Sequence, residues 1–256
     1  MTRDATLAGV RGYVRAAVRL ARNRGMVALL LKGIEITYNT LVRPLLPTHE
    51  PRRSEVTHVA RAPHRYGDGI VPWRVPSQFS LDQERALRTA LSSVVNEGDH
   101  VVIIGGGSGI SATVAAKMAG EAGDVTVFEA TAKNCRRVEQ TVAVNGVGQR
   151  VSVTHAVVGR YTGHAWESYG FPDGASTITV DDLPDCDVLE LDCEGSETQI
   201  LRTLAHNPRH IVVETHGFIG YPTHETADLL EERGYEIHDQ LIENRELGVD
   251  VLVAKR

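Results

Sequence analysis

The segment His100-Val-Val-Ile-Ile-Gly-Gly-Gly-Ser-Gly109 runs from a short apolar, β-branched stretch into a turn built of glycines. Beyond it, Ile110 to Ala119 keeps its apolar residues at helical spacing. An apolar run bounded by turn residues reads as one fully buried strand. A strand, a glycine turn and a helix in that order form the opening unit of a doubly wound α/β sheet, whose ligands bind at the carboxyl ends of the strands. Glycines at 105, 107 and 109 allow a tight turn and let backbone approach a ligand with no Cβ in the way.

Working outward, the alternation continues. Ser80-Leu-Asp-Gln83 has the form of a capping box for a helix reaching about Val95. Strands are predicted over 100–104, 125–128, 151–154, 188–191 and 211–213, with helices over 110–119, 133–144, 197–204 and 225–233. Two further strand-like runs, 235–242 and 249–254, close the chain as a hairpin. Alternating βα units imply a mostly parallel sheet covered on both faces. The expected architecture is a doubly wound α/β fold with a mostly parallel sheet and a terminal antiparallel hairpin.

Composition narrows the function classes. The chain has 256 residues, 42% hydrophobic and 23% charged, ordinary values for a chain with a sizeable core. Its net charge of −6 is not that of a nucleic-acid binder. Three cysteines without CxxC spacing suggest a reducing, cytoplasmic setting. The longest apolar run, Met26 to Leu31, is far short of the roughly 20 residues that span a bilayer. Charge is uneven, +8 over residues 1–65 and −14 over residues 66–256. We therefore divide the chain into a basic helical N-terminal extension with a proline-punctuated connector (1–65) and an α/β domain (66–256). Arg11, Arg15, Arg19 and Arg22 share one face of the first predicted helix. That helix caps the domain with a solvated basic face, lies against an acidic partner, or touches an anionic membrane surface, which would place the protein peripherally on the inner face of the membrane.

The ligand can be read from what the glycine turn lacks. No Gly-Lys-Ser/Thr follows it, so it is not a phosphate P-loop, and the last glycine of GxGxxG is replaced by Ile110. No tyrosine has a lysine four residues on, which counts against a short-chain reductase. Glu129 ends the second strand, 24 residues beyond Gly105, where an acid can accept hydrogen bonds from two ribose hydroxyls. A free ribose diol with GxGxG spacing fits S-adenosyl-L-methionine better than a pyrophosphate cofactor. The plainer alternative for Glu129 is a surface acid at a strand end.

Glu129, Asn145-Gly146 after the next helix, Asp181-Asp-Leu183 and the run Asp187-Val-Leu-Glu-Leu-Asp-Cys-Glu-Gly-Ser-Glu197 together resemble the FkbM-type family of S-adenosylmethionine-dependent methyltransferases. The family's fourth-strand motif reads D-V-L-K-I-D-V-E-G-A-E, and the resemblance spans about residues 80–256. It implies the Rossmann-like class I methyltransferase fold, an α/β architecture with a seven-stranded, mostly parallel sheet ending in an antiparallel hairpin, and methyl transfer, in many members to a hydroxyl of a natural product or glycan. The chain departs from the family at Ile103, where an Asp is common, at Gly107, where an Asn is common, and at Glu190, where a Lys is usual.

The resemblance places Gly105, Gly107 and Gly109 at the methionine part of the cofactor and Glu129 at the ribose. Asn145 is a further cofactor candidate, although its Asn-Gly pair also suits a helix C-cap. Asp192 and Glu194 end the fourth strand beside the glycine turn, and Glu214 and His216 end the fifth. Asp192, His216 and Glu194 are the catalytic candidates. A carboxylate there could take the acceptor proton or bind the cofactor ammonium, and His216 has a near-neutral intrinsic pKa. Equally, Glu194-Gly195 could shape the turn, Glu197 support a helix N-terminus, and His216 be structural. Asp192, Glu194 and His216 are of metal-ligand type, but no close-spaced pair marks a site and no metal is expected. The Tyr161 to Gly174 segment is long enough for a substrate loop. The alternatives are a non-catalytic nucleotide-binding protein of the same fold and, behind it, an NAD-dependent oxidoreductase. The expected partner is a small-molecule or glycan acceptor; oligomeric state is not legible.

Overall fold

In a computed structural model the described residues are 84–160, 172, 174–245 and 247–256, with Arg22, Met26, Val27, Leu30, Ile34, Thr37 and the strands Arg52–Arg53 and His58–Val59. The chain divides into two units, Met1–Glu50 with Arg61–Leu81, and Pro51–Ala60 with Asp82–Arg256. In the first unit the described residues are helical, and Met26, Val27, Leu30 and Ile34 are exposed. The basic face of the first predicted helix apart from Arg22, most of the connector, the Ser80–Gln83 capping box and most of the 161–174 segment lie outside the described residues. Among the described residues no helix is long and apolar enough to cross a membrane.

In the second unit, Arg52–Arg53 and His58–Val59 pair as a small antiparallel hairpin. The main sheet has eight strands: β1 (His100–Ile104), β2 (Asp124–Glu129), β3 (Val151–Val158), β4 (Ser176–Ile178), β5 (Val188–Leu191), β6 (His210–His216), β7 (Glu236–Asn244) and β8 (Val249–Lys255). Five helices accompany them: α1 (Arg85–Val94), α2 (Ile110–Ala119), α3 (Ala132–Val144), α4 (Glu197–Thr203) and α5 (Thr223–Glu232). The order across the sheet is β4-β3-β2-β1-β5-β6-β8-β7. Strands β1 to β6 run parallel, and β8 is antiparallel to both β6 and β7. The seven expected strands are present. The eighth, β4, is a three-residue edge strand of polar character that extends the sheet beyond β3.

Period-two alternation sorts the buried strand residues onto two faces. Val101, Ile103, Val125, Val127, Val188 and Val212 face the layer of α1, α2 and α3. Val102, Ile104, Leu189, Leu191, Ile211 and Val213 face α4 and α5. Ile103, at the position where the family often has an acid, is fully buried in the first of these layers. Covered on both faces, the central strands can be continuous apolar runs. Helix α2 is buried on nearly all sides, and Ala112, Ala115, Ala116 and Ala119 let it lie close against its neighbours.

Strand order reverses between β1 and β5, and such a switch point opens a crevice at the carboxyl ends. There the glycines have separate tasks. Gly105 has φ +103°, and a Cβ on it would lie 1.8 Å from the Asp192 carbonyl oxygen. The same junction is tied by the Asp192 N–H donating to the Ile104 carbonyl at 3.0 Å. Gly109, with φ +81°, sits where a Cβ would come within 2.9 Å of the Val138 Cα, so it sets the approach of α2 to α3. At Gly107, φ +50°, a Cβ would meet only Glu84 Oε1 at 3.9 Å.

Two alanine substitutions should therefore separate. Gly105→Ala must push β5 away from β1 and is expected to abolish folding or cost more than about 4 kcal/mol, in the range of severe core disruption. Gly107→Ala carries only the left-handed backbone penalty, about 1–2 kcal/mol. Urea unfolding of both variants checks this; equal losses would contradict the assignment of tasks.

Candidate functional site

The crevice at the carboxyl ends holds about 640 Å³ of space between atoms, open solvent at its mouth included. Its floor is Gly105 and Gly107, one wall is the apolar Phe128 and Ala156 to Val158, and its opposite rim is Asp192 to Glu194. Glu129 stands between, buried at the end of β2. Its Oε1 accepts from the Thr131 N–H at 2.8 Å and the Thr131 hydroxyl at 3.0 Å, while Oε2 accepts from the Gly107 N–H at 3.1 Å. Thr131 also caps α3 by accepting from the Asn134 N–H. One carboxylate thus ties the glycine turn to the start of α3. Burial pushes the Glu129 carboxyl up, and the hydrogen bonds from Thr131 and Gly107 pull it back.

Other expected residues sit differently. Gly109 does not line the crevice, and neither does Asn145. Asn145 is the C-cap of α3, its Nδ2 donating to the Thr141 carbonyl and its Oδ1 accepting from Lys117 Nζ. Sequence reasoning passed over Thr131, Asn134 and the β3 wall. A Thr three residues before Asn134 at the head of a predicted helix was a legible N-cap signal, whereas the wall depends on strand pairing that no local pattern reveals.

The chemistry gathers at the ends of β5 and β6. Asp192 and Glu194 lie beside His216, which is only 3% exposed. Nε2 of His216 lies 3.4 Å from Asp192 Oδ1, 3.8 Å from Glu194 Oε2 and 3.9 Å from Glu214 Oε1. Its Nδ1 lies 3.3 Å from Glu197 Oε1. Glu197 in turn accepts from the N–H groups of Cys193 and Gly195, at 2.9 and 2.7 Å, so it clamps the turn that presents Asp192 and Glu194. Glu194 takes a left-handed φ of 56° in that turn. Burial alone would lower the His216 pKa, but Asp192 and Glu197 outweigh it and push it up to about 12. Glu197 is held below its usual value: burial opposes its charge, and the hydrogen bond and charge of His216 more than compensate. Burial, with the Asp192 charge, pushes Glu214 well up.

Glu190, also on β5, is fully buried, and neither carboxylate oxygen has a well-formed hydrogen bond. Burial drives its pKa well above the ordinary value, the charges of Asp192 and Glu84 add to the rise, and Ser111 opposes it.

The profile of the Methyltransferase FkbM domain matches residues 103–237, just over half of the chain. No curated protein matches. Among solved structures, a precorrin-6y C5,15-methyltransferase from Geobacter metallireducens is 14% identical, with 70% of this chain and 92% of that one covered at a TM-score of 0.49. Aeropyrum pernix fibrillarin with natively bound S-adenosyl-L-methionine is 17% identical, covering 63% and 68% at a TM-score of 0.44. A SAM-dependent O-methyltransferase from Thermotoga maritima is 19% identical, covering 68% and 65% at a TM-score of 0.45.

Glu190 yields a test of the site's electrostatics. Its folded pKa is raised above 4.5, so what its protonated form contributes is full below that pH and lost as pH rises through the folded value. Glu190→Leu removes a buried, poorly satisfied carboxyl of similar size and should raise stability by about 1–3 kcal/mol. The gain should be larger at about pH 8 than at about pH 5. Urea titrations at the two pH values measure it; a gain independent of pH would contradict the assignment.

Proposed function

The chain belongs to the FkbM methyltransferase family, and from that premise we propose that it transfers a methyl group from S-adenosyl-L-methionine to a hydroxyl oxygen of a small molecule or glycan. The observation that carries this is the crevice at the β1–β5 switch point, with a buried ribose-type acid on one side and a carboxylate rim on the other. The residues fit the cofactor. Gly105 and Gly107 leave bare backbone for the methionine part, Glu129 Oε2 faces the glycine turn as an acceptor for ribose hydroxyls, and Phe128 with Ala156 to Val158 offers an apolar face to the base. When bound, the cofactor supplies an electrophilic methyl group on a sulfonium.

The remaining work falls to this chain's own side chains. A hydroxyl that accepts a methyl group gives up one proton, and a base within hydrogen-bond reach is needed to take it. His216 is the poorer acceptor, because its carboxylate neighbours keep it protonated at neutral pH. Asp192, at the crevice rim and 21% exposed, is the residue we assign to the proton. His216 and Glu197 then act as positioning residues that fix the β5 turn, and Glu194 flanks the acceptor side.

For the first unit we propose peripheral contact with an anionic membrane surface. Met26, Leu30 and Ile34 are exposed at a spacing of four, one stripe of a helix, downstream of the arginines of residues 11–22.

Two measurements test these readings. Calorimetry should show S-adenosylhomocysteine binding more tightly than NAD or ATP, and Glu129→Ala should weaken it by about 1.5–3 kcal/mol for each lost hydrogen bond to the charged acceptor. Unchanged affinity in a folded Glu129→Ala protein would take Glu129 out of the site. Sedimentation with anionic vesicles should pellet the full chain at low salt and release it at high salt; no binding at low salt ends the membrane reading.

A further inference from the structure

Around His216 the charges do not balance. Four carboxylates, of Asp192, Glu194, Glu197 and Glu214, lie within 3.9 Å of its ring nitrogens. Asp192, Glu197 and Glu214 have no other cationic partner among the described residues. Glu214 is pushed toward its neutral form, and Asp192 and Glu197 alone outnumber the single imidazolium between them. The ring itself is buried, and its Nδ1 faces Glu197 Oε1 at 3.3 Å. On the other side, Nε2 points into the acidic pocket at 3.4 to 3.9 Å from three carboxylate oxygens, longer than good hydrogen bonds.

Those distances suit something placed between the groups. One ligand atom each from Asp192, Glu194 and His216 lies within 4.8 Å of the others. With metal–ligand bonds of about 2.0–2.3 Å, neighbouring ligands around one ion stand about 3 Å apart and opposite ones about 4–4.6 Å. The ring is also oriented as a ligating histidine is, its far nitrogen facing a carboxylate, here Glu197, that would fix tautomer and tilt. Glu197 is in turn pinned by two backbone N–H groups, so the support is rigid.

We propose that Asp192, Glu194 and His216 form a binding site for a divalent first-row transition-metal cation, His216 releasing its Nε2 proton to solvent as the ion binds, with Glu197 as its positioning residue and Glu214 as a flanking carboxyl. Two carboxylates and one imidazole suit Mn²⁺, Fe²⁺ or Zn²⁺ better than Ca²⁺, which prefers an all-oxygen set. Asp192 and Glu194 line the cofactor crevice, so the ion would stand at its acceptor-side rim. The ion's role, though not its binding, rests on the methyl-transfer reading above: it would hold the acceptor hydroxyl and lower its pKa, leaving Asp192 Oδ2 to take the proton.

Mn²⁺ titration of the full chain, followed by the electron paramagnetic resonance of the free ion, tests the site without cofactor or acceptor. The expected result is one Mn²⁺ per chain, with nitrogen modulation from one imidazole in the bound spectrum. Asp192→Asn and His216→Gln should each abolish tight binding, and the modulation should vanish in any binding that survives in His216→Gln. Glu197→Gln should weaken binding by about 10–100-fold, as loss of an outer-shell carboxylate does. If the variants do not fold, the wild-type spectrum still decides. No binding at millimolar Mn²⁺ or Zn²⁺, bound Mn²⁺ without nitrogen modulation, or affinity unchanged in a folded Asp192→Asn protein would each overturn the proposal. Because S-adenosylhomocysteine affinity is measured separately, failure of the metal site and failure of the methyl-transfer reading are distinguishable.

Discussion

The contact of Gly105 with the Asp192 carbonyl holds the rest of this molecule in register. Strands β1 and β5 are neighbours from opposite halves of the sheet, and at their ends the two chains approach too closely for any Cβ at position 105. The closeness brings the glycine turn and the Asp-Cys-Glu-Gly turn to the lip of one crevice. From there Glu129 ties the glycine turn to α3, and Glu197 ties the acidic turn to His216. The proposed cofactor side and acceptor side are thus two consequences of one steric constraint at the switch point.

The second organising fact is electrostatic. Asp192, Glu194, Glu197 and Glu214 gather near the ends of β5 and β6 around one histidine, and Glu190 lies on β5 within the influence of the Asp192 charge. Such a concentration of buried negative charge costs stability unless it is protonated, paired or used. The chain does some of each. Glu190 and Glu214 are pushed toward their neutral forms, Glu197 is ionised against His216, and Asp192 and Glu194 face the crevice. Replacing the family's usual lysine by Glu190 makes the imbalance larger. The proposed cation would add positive charge at the crevice rim formed by Asp192 and Glu194.

Much of the fold was legible because central parallel strands are apolar on both faces, so 100–104, 188–191 and 211–213 announce themselves. β4 was not, since Ser176-Thr-Ile178 is short, mostly polar and paired with β3 alone. The glycines were legible as a turn, but their tasks were not: spacing treats 105, 107 and 109 alike, and only the positions of Asp192 and Val138 divide steric need from open backbone. Glu129 and Asp192 could be placed at the site because strand ends are readable. The pairing of Glu197 with His216 could not, because it joins a helix start to a strand end across a fold no local window contains. Asn145 shows the same limit, its Asn-Gly pair serving the end of α3.

The central claim is that the β1–β5 crevice holds the cofactor with its reactive end toward the Asp192 rim. A crystal structure of the full chain with S-adenosylhomocysteine tests it most directly. The account predicts the ribose hydroxyls on Glu129, the homocysteine backbone over Gly105 to Gly107, and the sulfur facing Asp192. Ligand bound with its sulfur turned away from Asp192, or bound outside the crevice with Glu129 still engaged only by Thr131 and Gly107, would contradict it.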